Sequence, residues 1–318
     1  MKKDKKILFI TFDLSGYYNL IAEELKCQFQ HVDCYNIASI DKHKYKHVFQ
    51  KIYAAFYKIA FKKKLKNYYQ LQPLVEKIST QKYDYTVLVR PDLFFDDQLD
   101  ILKNASNHFI AYYHDSINNI KRKKEVIHFF DTVYSYEKKD VLDYNLEFLS
   151  NFIYLDQPVE SGAIKYDAFT IMSDDYRLKT LEKLAEHLNK QEIRFEFLVQ
   201  SDKKEPTKNI HYIKERKNNK QVLEYLKQTK VIVDIHKYGI QDGLTFRIFE
   251  SLYFEKKLIT TNADIKSYDF YNPNNIFVLN PESEISIPED FFNTPYEKVP
   301  EDIYQKYHYT SWIKTILS

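Results

Sequence analysis

Short β-rich runs alternate with longer helical runs along almost the whole chain, and this alternation restricts the fold more than any single residue does. Strands separated by helix-length segments cannot pair as tight hairpins. They pair in parallel, with the helices crossing over the faces of the sheet. In the first half the strands fall at "ILFITF", "HVDCYNI", "YTVLVR", "FIAYYH" and "TVYSY". Helical stretches lie around Leu20–Lys26, Lys42–Ile78, Asp97–Asn104, Lys121–Phe129 and Lys138–Tyr144. A second series follows, with strands "AFTIMS", "RFEFLV", "NIHYI", "VIVDIH", "KLITT" and "NIFVL". Its helices are "DDYRLKTLEKLAEHLNK", "KQVLEYLKQ" and "LTFRIFESLYF", and the closing "PEDIYQKYHYTSWIKTIL" reads as one capped helix.

Between the two series, "DQPVESGAIKYD" loses its periodicity at Pro158 and Gly162, as a hinge does. The expected division is a first domain over 1–157, a hinge over 158–165, a second domain over 166–300, and a closing helix over 301–318 that crosses back to the first domain. With 318 residues, each half can bury its own core. The expected fold class is α/β: two doubly wound, Rossmann-like parallel-sheet domains facing a cleft. In such sheets ligand groups gather on the loops that follow the strands.

Composition narrows the function classes. Hydrophobic residues make up 44% and charged residues 29%, which is globular rather than disordered. A net charge of +2 argues against a surface that is basic all over, so any basic function must be local; no nucleic-acid partner is expected. Two cysteines, Cys27 and Cys34, cannot build a disulfide framework, and a reduced cytoplasmic setting fits them. The apolar run Ile7–Phe12 ends at Asp13, too short for a signal peptide core and far too short for a bilayer span.

The chain has only four glycines, and two of them fall in "DIHKYGIQDGLTFRIFESLYF". Here a strand runs through Gly239 and Gly243 into an almost wholly apolar helix expected to open near Gly243. Glycines permit close approach of a ligand, and a helix amino end is a ready site for phosphate. Thr245 adds a hydroxyl and Arg247 a cation. Arg247 and Glu250, three residues apart on one face, must pair with each other or meet a polar ligand.

"DGLTFRIFE" resembles the acidic pair in the donor domain of GT-B glycosyltransferases, notably the retaining group that uses nucleotide sugars. The resemblance implies that Glu250 holds the ribose, Asp242 faces the donor sugar, and Gly243–Thr245 cradle the diphosphate. Asp242 stands where glutamate is usual, and Thr245 where a second glycine often sits. "FIAYYHDS" resembles the strand-to-"HD" turn of the same enzymes, which implies His114 as a donor to a sugar hydroxyl, with Asp115 orienting it or meeting the acceptor. The same "HDS" would also serve as an ordinary turn or cap. In "FTIMSDDYRLKTLEKL" the resemblance implies basic contacts to the diphosphate, for which Arg177 and Lys179 are the local candidates. Asp13, Ser15 and Gly16, after the first strand, would border the acceptor side.

From Lys42 to Lys66 the chain carries nine lysines interleaved with Phe and Tyr, and no acid occurs between Asp41 and Glu76. This segment suits peripheral contact with an anionic membrane at the inner face of the cell membrane; wet lysines over packed aromatics are the plainer alternative, and a groove for single-stranded nucleic acid is the third. The resemblance implies a glycosyltransferase of surface-polysaccharide synthesis, capsule or lipopolysaccharide. It would take a nucleotide sugar and a glycan or lipid-linked glycan acceptor, and act without cofactor or metal. A non-catalytic scaffold that binds a nucleotide or glycan would have the same layout.

Overall fold

The computed structural model describes residues 4–61, 63–157, 162–202, 207 and 209–318. The twelve strands among them are β1 Lys6–Thr11, β2 His31–Asn36, β3 Tyr83–Val89, β4 Ser106–Tyr113, β5 Thr132–Ser135, β6 Glu147–Phe148, β7 Tyr166–Ser173, β8 Phe195–Gln200, β9 His211–Ile213, β10 Thr229–Asp234, β11 Lys257–Thr260 and β12 Ile276–Val278. The chain divides into two units, Met1–Leu149 with Ile313–Ser318, and Ser150–Trp312. Residues 158–161 of the expected hinge lie outside the described residues.

Unit 1 contains a six-stranded sheet in the order β2-β1-β3-β4-β5-β6, and unit 2 another in the order β9-β8-β7-β10-β11-β12. Every neighbouring pair in both sheets is parallel. Parallel strands need apolar residues on both faces because helices cover both. In β10, Val231 and Val233 enter one core cluster while Ile232 enters the other, as the two-residue period of a strand requires. The helix Leu178–Lys190 packs Leu181, Leu184, Ala185 and Leu188 on the first face. The helix Phe246–Tyr253 packs Ile248, Phe249 and Leu252 on the second. Each of those leucine, isoleucine and phenylalanine side chains contributes roughly 1.5–3 kcal/mol on burial, and Ala185 less.

Three elements differ from the sequence reading. The helical stretch over Lys42–Ile78, readable as one amphipathic helix or a pair, is the pair Val48–Phe61 and Leu65–Ser79, with the backbone of Lys64 extended ahead of the second. Residues 42–47 belong to no helix, since their alternating lysines and histidines offer no apolar face. The closing helix is also two, Glu301–Lys306 and Tyr309–Ile316. Ile153 takes the backbone between them, donating to the Tyr307 carbonyl at 2.7 Å and accepting from the Tyr309 amide at 3.1 Å. The two-residue strand β6 is too short to carry a pattern.

Candidate functional site

In unit 2, β7 and β10 are hydrogen-bonded neighbours although β8 and β9 intervene in the chain. The connections leave this pair in opposite directions, which opens a crevice beyond their carboxyl ends, the usual ligand position in doubly wound sheets. Arg177 stands there, just after β7. Its Nη1 donates to the carbonyl of Ile235, just after β10, at 2.8 Å, while Nε and Nη2 grip Asp175 at 2.9 and 2.7 Å. Burial opposes ionisation of Asp175, but Arg177 and then Lys237 outweigh it and hold the carboxyl below its usual range. Lys179 is exposed on the wet side of the helix Leu178–Lys190 and does not join this group.

The loop after β10 is tied down residue by residue. Asp234 accepts from the hydroxyls of Thr245 and Thr260, both at 3.0 Å. Asn262 Nδ2 donates to the Asp242 carbonyl at 3.0 Å, and Asn151 Nδ2 to the Leu244 carbonyl at 2.8 Å. His236 is 3% exposed and donates from Nε2 to the Gln241 carbonyl at 2.7 Å, and its buried Nδ1 has no hydrogen bond among the described residues. Gly239 takes a left-handed φ of +76° that lets the loop turn back.

The helix begins at Phe246, later than Gly243, with Thr245 as its N-cap residue. The Thr245 hydroxyl is spent on Asp234, so the residue that flanks the helix is fixed to β10 instead of capping. Gly243 is buried in the loop, and Asp242 is half-buried beside it. Glu250 is 1% exposed, accepting from Tyr154 at Oε1 and from Arg247 Nη1 at Oε2, both at 2.6 Å. Burial pushes its carboxyl above the usual range, against the pull of Arg247 and Tyr154. The structure therefore links Thr245 to Arg177 through Asp234 and Ile235, while Arg247 and Glu250 pair with each other and with Tyr154 on the helix that Thr245 flanks.

Unit 1 collects a second group beyond its own strand ends. Its switch point lies between β1 and β3, neighbours separated in the chain by β2. Asp13, after β1, accepts from the amides of Ser15, Gly16 and Tyr18, all at 2.8 Å, so its carboxylate builds the loop. Tyr18 then carries that loop to His114, its hydroxyl lying 3.0 Å from Nδ1, while Nε2 sits 3.7 Å from Asp115. Burial lowers the His114 pKa to about 4, and Lys123 and Arg90 add to the effect against the pull of Asp115. The ring is neutral near pH 7.

Several neighbours carry no sequence signal. Lys123 is fully buried, donates to the Asp115 carbonyl at 2.7 Å, and is lowered to about 8 by burial. One buried lysine cannot be told from its neighbours in "KRKK" by pattern. Arg90, after β3, has φ +71° and a two-pronged grip on Asp92 at 2.8 and 2.9 Å. Tyr154 and Lys237 are equally silent in the sequence, although "DIHKYG" runs on from the end of β10.

No protein-family model matches the chain, and no curated protein sequence matches it. Among solved structures, it is similar to a UDP-forming α,α-trehalose-phosphate synthase from Burkholderia xenovorans: 10% identity, 98% of each chain covered, TM-score 0.58. It is also similar to a UDP-GlcNAc 2-epimerase from Neisseria meningitidis bound to UDP-GlcNAc, at 8% identity, 98% of each chain and TM-score 0.52. The fold is GT-B. At these identities the likeness gives the GT-B architecture and assigns no residue a role. No described helix is long and apolar enough to cross a membrane.

Proposed function

We propose that this GT-B chain is a glycosyltransferase that moves one sugar from a nucleoside-diphosphate donor to a glycan or lipid-linked glycan acceptor, with retention at the anomeric carbon. The setting proposed is surface-polysaccharide assembly, capsule or lipopolysaccharide. The observation that carries the reading is the grouping at the unit 2 switch point. A half-buried arginine, Arg177, and the positive end of the helix Phe246–Tyr253 flank β7 and β10, where a diphosphate is held in folds of this topology.

In the proposed reaction an acceptor hydroxyl attacks the anomeric carbon on the face that the diphosphate leaves. The new carbon–oxygen bond forms as the bond to the β-phosphate breaks, and the hydroxyl proton passes to the departing phosphate oxygen. No protein nucleophile takes part. Arg177 and the helix end stabilise the negative charge on the leaving group without metal or cofactor. Arg247 turns from Glu250 to the diphosphate, and the released carboxylate takes the ribose hydroxyls. Asp242 meets the donor sugar, His114 donates from its neutral ring to a sugar hydroxyl with Asp115 orienting it, and the Asp13–Gly16 loop borders the acceptor. Lys179 contributes at most a distant charge.

One observation favours the scaffold reading: Arg177 is already paired with Asp175, and Glu250 with Arg247 and Tyr154. Incubation with a panel of nucleotide sugars and candidate acceptors, with and without a chelator, separates the two. The enzyme reading predicts release of free nucleoside diphosphate from one donor, insensitive to the chelator and lost in Arg177→Met, with an α-linked product from an α-linked donor. A protein that binds a nucleotide sugar yet releases no diphosphate with any acceptor is the scaffold.

A further inference from the structure

The helix Val48–Phe61 wears its apolar stripe on the outside. It docks on unit 1 through Ala54, which packs with Leu65 and Phe95, and through Tyr57, whose ring lies 6.3 Å from that of Phe95. Phe49, Ile52, Phe56 and Ile59, at spacings of three, four and three residues, line up on the opposite side. Phe49 is 83% exposed and Ile59 81%, with Ile52 and Phe56 more than half exposed between them. An ordinary surface helix buries such a stripe, and a continuous exposed one marks a contact surface.

The charges choose the occupant. Nine lysines and no acid lie between Lys42 and Lys66; Lys62 lies outside the described residues. Lys51 and Lys58 flank the stripe, both exposed. A second copy placed on this face would set two such lysine runs against each other, with Asp96 offsetting Lys63 alone among the described ion pairs of the run. A nucleic acid would satisfy the lysines and leave Phe49, Ile52 and Ile59 in water. An anionic bilayer surface accepts both, acyl chains for the stripe and headgroups for the lysines.

We propose that Val48–Phe61 lies in the interface of an anionic lipid bilayer, with the Phe49–Ile59 stripe among the acyl chains and Lys51 and Lys58 at headgroup level. The proposal is independent of sugar transfer, since it holds or fails by binding alone.

The test is the full chain carrying Phe49→Trp, mixed with vesicles of phosphatidylcholine alone or with phosphatidylglycerol. Binding is read by sedimentation and by the emission of the added indole, after subtraction of the unsubstituted chain, whose one tryptophan, Trp312, is buried. The expected result is cosedimentation and a blue shift with the anionic vesicles only. Ile52→Ser with Ile59→Ser weakens partition by about tenfold or more, and Lys51→Gln and Lys58→Gln weaken it by about fivefold each. Circular dichroism reports whether the variants stay folded. Failure to partition into either vesicle overturns the proposal, and binding that ignores phosphatidylglycerol overturns the charge assignment. Twice the 38.4 kDa chain mass in light scattering, with the indole already blue-shifted before lipid is added, assigns the face to a second copy instead.

Discussion

At the scale of single residues, the most telling group is Glu250 with Arg247 and Tyr154. A carboxylate this buried keeps its charge only through its partners. Replacing Arg247 with methionine keeps the packing and strands the charge. Arg247→Met is expected to lower stability by about 3 kcal/mol in urea denaturation, and adding Glu250→Gln to recover part of that loss. An equal loss in both variants would mean that Arg247 acts through packing alone. His114 supplies a second test. Its folded pKa, about 4, lies below the usual imidazole value of about 6.5, so between those limits the unfolded chain binds the extra proton. Stability therefore falls as pH drops through that window, by up to about 1.4 kcal/mol per pH unit from this group. The contribution is fully present above pH 6.5. Thermal melts of His114→Gln from pH 7 to pH 4 should lose that part of the slope.

At the scale of elements, most strands and helices are legible because both faces of a parallel sheet must be apolar, and "VIVDIH", "AFTIMS" and "YTVLVR" advertise it. The pairing of Arg247 with Glu250 is legible too, since three residues on a helix bring side chains together. What escapes is the work of tertiary contacts. Ile153 divides the closing helix by taking backbone groups of Tyr307 and Tyr309, and nothing in residues 301–318 announces it. Thr245 fixes the helix start because its hydroxyl meets Asp234, eleven residues earlier. Tyr154 joins the candidate site through Glu250, remote in sequence, and Lys123 joins through its burial and the Asp115 carbonyl. The loop after β1 shows a local rule at work. Gly16 has φ +81°, and an added Cβ would lie 3.0 Å from Asn19 Nδ2. Gly16→Ala is expected to cost about 1–2 kcal/mol, from the left-handed backbone and the contact together. An unchanged melting temperature would show that the loop rearranges freely.

At the scale of the whole molecule, two parallel sheets of six strands each have a switch point, β1/β3 in unit 1 and β7/β10 in unit 2. Asp13, His114, Arg177 and Thr245 fall on the loops at those points or on the next strand end, while Arg247 and Glu250 lie on the helix Phe246–Tyr253; the motifs that single these residues out in the sequence carry no strand order. Glu250 was placed correctly on its helix, but its burial depends on Tyr154 and on the core around Phe249, which pattern alone does not reveal. The central claim is that the amino end of the helix Phe246–Tyr253 and Arg177 together hold a diphosphate. A crystal structure of the full chain with its nucleoside diphosphate measures this directly. The account predicts phosphate oxygens within hydrogen-bonding distance of Arg177 and of backbone amides at 245–247, with the ribose hydroxyls on Glu250. A diphosphate bound elsewhere, with the Arg247–Glu250 pair intact, would contradict it.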